Sequence, residues 1–130
     1  MLIRRSDLEA ATSALAVAGF IRRQAAGIVM FLDGPGAKAR DAVHVLFAGE
    51  KVRAEHTHAA ADVTEVERNK GFCVVSLDAL VRMKLTSFRD KDRTHVRDLM
   101  DVGLVDESWL DRLPSDLSAR LKQLIDTPEG

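Results

Sequence analysis

The sequence holds a single cysteine, Cys73, so no disulfide can form within the chain. That composition is expected of a protein of the reducing cytoplasm. No apolar run approaches the length of a membrane span, and Met1-Leu2-Ile3-Arg4-Arg5 lacks the long apolar stretch of a secretory signal. A membrane partner is therefore not expected. An excess of charge of one sign is also missing. The formal net charge is −1, so no overall field points to nucleic acid or to an anionic surface. There is no repeat and no low-complexity segment. What remains is a chain of 130 residues, 46% hydrophobic and 30% charged, of a size that suits one domain.

Leu2-Ile3 reads as a short strand. Ser6-Asp7-Leu8-Glu9 has the spacing of a capping box, in which the serine accepts from the Glu9 amide and the glutamate reaches back. Leu8, Ala11, Leu15 and Ala18 then recur on one helical face, and Gly19 ends the helix. Phe20 to Arg23 and Ile28 to Leu32 read as strands, followed by a turn at Asp33-Gly34-Pro35-Gly36. Ala42 to Phe47 reads as the next strand, with His44 among apolar neighbours. Residues 50–70 read as a polar loop over the domain, and Phe72 to Val75 as a short strand.

Ser76 is placed to cap a helix from Leu77 to about Phe88. Leu77, Leu80, Val81, Lys84 and Leu85 form its inner stripe. A second helix begins near Asp92 and runs through Val102 to Gly103. Asp106 and Ser115 are placed to cap the last two helices, the final one striped by Leu117, Leu121, Leu124 and Ile125. The expected class is α/β (α+β): a small mixed β-sheet with helices packed on one side and a helical C-terminal half.

Lys84 borders the apolar face of its helix, so it must snorkel or point into a cleft. Arg89, Lys91 and Arg93 gather at the joint that follows, beside a helix N-terminus that favours an anion. A phosphate held by Lys84, Arg89 and Lys91 is one expectation. An ion-paired corner neutralised by Asp92, Asp98 and Asp101 is the other.

The stretch Lys84, Arg89, Arg97-Asp98 and Asp101 resembles the C-terminal motif of nucleotidyltransferase-superfamily proteins, including the abortive-infection type. The order of strands and Val43-His44-Val45-Leu46 are similar as well. The resemblance implies contact with nucleotide, or help in transfer, at Lys84 and Asp98. It also implies an N-terminally shortened fold, because active members open with Gly-Ser and Asp-x-Asp motifs that this chain lacks. Those aspartates hold the divalent metals that align a triphosphate. The position of a third carboxylate is taken by His44, and Asp41 lies three residues before it. A magnesium site is therefore expected to be absent or weak, no cofactor is evident, and the chain is expected to be catalytically incomplete. A homodimer is expected through Leu2-Ile3 or the strand Ile28 to Leu32. An interaction or oligomerising module without a small ligand is the alternative.

Three further candidates follow from residue type. His44, His56 and His58 with Glu55 or Asp62 have soft-metal chemistry, but a solvated loop is the expected outcome. Cys73, in an apolar strand, is expected in the core rather than as a nucleophile. Trp109 is expected to anchor the last helices.

Overall fold

The computed structural model describes residues 1–130 and shows a mixed α/β fold. The elements are β1 (Leu2–Ile3), α1 (Leu8–Val17), β2 (Phe20–Ala25), β3 (Ile28–Asp33), β4 (Val43–His44), β5 (Leu46–Phe47), β6 (Val66–Asn69), β7 (Phe72–Val75), α2 (Leu77–Ser87), α3 (Asp90–Asp101) and α4 (Ser115–Asp126). No helix is long and apolar enough to cross a membrane.

The strands form three small sheets rather than the single one expected. β3 lies between β2 and β4, antiparallel to both, and Val29 to Leu32 are buried, so both of its faces are covered. Leu8 of α1 packs with Val29, Phe31 and Val45, and Leu15 supports the same cluster. α1 ends as expected at Gly19, whose φ of 90° suits a residue without a Cβ. Its start differs. Arg5–Asp7 is a turn of 3-10 helix and no side chain caps α1, so the Ser6–Glu9 box does not form. Glu9 instead accepts from Arg22 on β2.

β2 and β3 run two and one residues beyond their expected ends. They are joined by Ala26-Gly27, both at positive φ (50° and 76°). That is the backbone of a two-residue hairpin turn whose twist matches the strands, with alanine in a place that usually favours asparagine or glycine.

The segment read as one strand, Ala42 to Phe47, breaks at Val45 because it changes partner. Val43 and His44 pair antiparallel with β3, whereas Leu46 and Phe47 pair parallel with β1. Residues 50–70 are not wholly loop. Residues 66–69 form β6, which closes a hairpin with β7 across Lys70-Gly71. Sequence patterning missed β6 because Val66-Glu67-Arg68-Asn69 has a single apolar residue. The loop before it is tied down by the Gly49 amide donating to the Ala60 and Ala61 carbonyls, and by Ala60 donating to Glu50.

The C-terminal helices build a second core from Val81, Leu85, Val96, Val105, Trp109, Leu113, Leu117, Leu121 and Leu124. Trp109 is buried there, as expected. Ser76 caps α2 by accepting from the Ala79 amide. Asp106 caps the 3-10 turn Glu107–Asp111 by accepting from the Ser108 amide. Ser115 is the first helical residue of α4 rather than its cap, a position held by Pro114. α2 stops at Ser87 because Phe88 turns left-handed, at φ 53°, so that α3 can begin at Asp90. Arg120 of α4 donates to the carbonyls of Leu85 and Thr86 at 2.7 and 2.8 Å, satisfying groups a helix end leaves open. Its guanidinium and that of Arg93 flank the Phe88 ring.

Candidate functional site

The α2–α3 corner brings together three of the charged residues singled out by the sequence, Lys84, Arg89 and Asp92. α2 ends and α3 starts within three residues, so the last turn of one faces the first turn of the other. Asp92 sits at the centre, 1% exposed. It accepts from Lys84 Nζ on one oxygen at 3.0 Å and from Arg89 Nε on the other at 2.7 Å. The Arg89 backbone amide and Nη2 add longer contacts, both at 3.3 Å. Lys84 also donates to His95 Nδ1 at 3.0 Å, an arrangement that requires Nδ1 to be unprotonated.

Burial by itself would push the Asp92 carboxyl upward. Hydrogen bonds from Arg89, Lys84 and Ser87, together with the Lys84 charge, outweigh it and hold the group well below the usual carboxylate range. Asp92 is thus a carboxylate built to stay ionised. Its position follows from local sequence: three residues after Arg89, it lies where a side chain can turn back to the amide that precedes the helix.

Lys84 therefore neither snorkels nor faces an open cleft. It is spent across the corner on Asp92, and not on Asp98. The structure does not bring Asp98 or Asp101 into the cluster; both are exposed and unpaired on α3. Lys91 is exposed with no ion pair, and Arg93 pairs with Asp90. The direct cluster contains two cations, Lys84 and Arg89, against one carboxylate. The Lys84 side chain is 22% exposed and that of Arg89 is 47% exposed, so the excess charge lies on the outer side.

The other candidates disperse. His44 is exposed on β4, and Asp41 lies in a 3-10 turn rather than on the strand, so strand alternation does not relate them. His58 meets Asp116 of α4 at 2.9 Å, and Thr57 donates to the same carboxylate at 2.7 Å. These contacts fasten the loop to the helical core and pull the Asp116 pKa down to about 2, with the His58 bond the largest cause. No three histidine, cysteine or acidic side chains converge as a metal site. Cys73 is exposed rather than in the core. β7 pairs only with β6, and Phe72, Cys73 and Val74 are all exposed. The pairing of Thr57 and His58 with Asp116 spans nearly sixty residues, and no local signal announces it.

Searches of protein-family models, curated proteins and solved structures found no match to the chain.

Proposed function

We propose that this protein is a nucleotidyltransferase-like domain without the metal-dependent half of that chemistry, and that its α2–α3 corner holds a phosphate-bearing ligand such as a nucleotide. The observation that carries the reading is the charge ratio at Asp92. One buried carboxylate orients two cations and leaves a net positive edge, to which the free Lys91 adds. A phosphate at that edge gains charge-assisted hydrogen bonds from the outer guanidinium nitrogens of Arg89. It also lies beside the N-terminus of α3, whose dipole favours negative charge. The resemblance in the stretch from Lys84 to Asp101 supports the same ligand class.

Magnesium chemistry does not fit the residues present. A hard divalent cation takes oxygen ligands, usually including clustered carboxylates, and the carboxylates here are dispersed or already paired. Asp92 has both oxygens engaged by Lys84 and Arg89. In this reading Lys84 positions Asp92, Asp92 aims Arg89, and Arg89 with Lys91 contacts the ligand. Asp98 has no role at the corner.

The test is titration of inorganic phosphate, ATP and GTP at low salt, followed by amide chemical shifts. Shifts centred on Arg89 to Arg93, weakened about tenfold in Lys91→Ala, are expected. The Lys91 side chain has no internal partner, so this variant keeps its fold. An absence of shifts at millimolar ligand would overturn the reading in favour of an interaction module with no small ligand.

A further inference from the structure

The β6–β7 hairpin is not accounted for by the corner. It is a two-stranded sheet with no third strand, and such ribbons are marginal alone. On β7, Phe72 is 58% exposed and Val74 is 48% exposed, and Cys73 between them is exposed too. The strand Phe72-Cys73-Val74-Val75 has no charge, no proline and no bulge. Those are the usual devices that keep a sheet edge from pairing. The charges of the hairpin, Glu67, Arg68 and Lys70, lie on β6 and the turn.

The register decides which backbone groups are free. Asn69 pairs with Phe72, Glu67 with Val74, and the Ser76 amide donates to the Glu65 carbonyl. Phe72, Val74 and Ser76 therefore direct their backbone groups at β6. Cys73 and Val75 direct theirs outward. No turn, loop or side chain takes up these outward groups.

We propose that β7 is the contact of a symmetric dimer, in which a second copy lays its own Phe72–Val75 antiparallel against this one to make a four-stranded sheet. The occupant is a second copy because the edge is self-complementary. Inverted, the same strand meets each outward N–H with a C=O, and an uncharged strand meets itself without repulsion. One register uses both outward residues: Cys73 opposite Val75 of the second copy, and Val75 opposite its Cys73. The two-fold axis then passes through Val74, which faces Val74 of the second copy as a close non-hydrogen-bonded pair. This contact differs from the two expected from sequence. β3 is a central strand with both edges paired, and β1, paired on one edge to β5, is only two residues long against four in β7.

The register makes the test specific. In Val74→Cys combined with Cys73→Ser, the two thiols are directly opposed, at the roughly 4.5 Å Cα separation that a disulfide accepts. The native Cys73 residues are offset by two positions, about 6.8 Å along the strands in addition to the strand spacing, which is too far. Mild oxidation is expected to give a disulfide-linked dimer of the double variant and none of the native chain. Light scattering is expected to show the native chain dimerising with concentration. Val74→Lys, which opposes two ammonium groups at the axis, is expected to weaken dimerisation about fivefold. Circular dichroism confirms that the variants, altered at exposed positions, remain folded. A native chain that stays monomeric, a dimer indifferent to Val74→Lys, or cross-linking through Cys73 would each overturn the proposal. Phosphate binding at the corner uses none of these residues, so the two proposals fail independently.

Discussion

Asp92→Asn isolates what the buried carboxylate contributes. The amide keeps the shape of the side chain but replaces one acceptor oxygen with a donor. Of the contacts from Lys84 and Arg89, those to the replaced oxygen become donor facing donor. Both cations also lose their only counter-charge in the cluster. Removing one partner of a fully buried ion pair costs about 3–5 kcal/mol. Arg89 is half-exposed and Lys84 one-fifth exposed, so water recovers part of that loss, which places the expected cost at about 3 kcal/mol. For a chain of this size the melting temperature should fall by about 10 °C.

Urea denaturation followed by the single Trp109, buried in the same helical core, reads the change directly. The pH dependence carries a definite sign. The Asp92 pKa is held below its ordinary 3.8, so its contribution is present above that value and is lost as pH falls through the lower folded value. The gap between the native chain and Asp92→Asn should be constant at neutral pH and shrink below about pH 4. A cost under about 1 kcal/mol, the size of an exposed ion pair, would refute the reasoning, as would a gap that ignores acid.

Two further outcomes are expected. Ala26→Asn places a residue that tolerates left-handed backbone where φ is 50°, and should stabilise the protein by about 0.5–1 kcal/mol in thermal unfolding, with no change in fold. Asp116→Asn should increase hydrogen exchange in the segment from His56 to Ala61. In the native chain the same segment should loosen as pH falls from about 4 toward the folded Asp116 value of about 2, where the contacts to Thr57 and His58 lose their carboxylate.

The helical half was the more legible part in the sequence. Its apolar stripes, the Ser76 and Asp106 caps and the stop at Gly103 are local signals, and helices are built from local hydrogen bonds. Leu117, Leu121 and Leu124 needed only their spacing to be placed inward. The corner was legible as a concentration of charge, and the resemblance pointed to Lys84. Neither showed that Asp92, rather than Asp98, would take the lysine. That choice depends on where Phe88 reverses the chain, and a one-residue change in that turn would rotate α3 and present a different carboxylate.

The β half shows the opposite balance. The apolar run marked Ile28 to Leu32 as a strand, but only packing decided that Val29 to Leu32 would be covered on both faces while Ile28 stays exposed. Partner choice is a property of pairs distant in sequence, so tertiary structure alone decided that Val45 would divide one apparent strand between β3 and β1. It alone also brought Asp116 to His58. The position of Cys73 is the clearest case. Its sequence context is that of a core strand, yet β7 pairs only with the polar β6 and stands clear of both hydrophobic cores. Composition says that a side chain can be buried; only packing determines whether anything covers it.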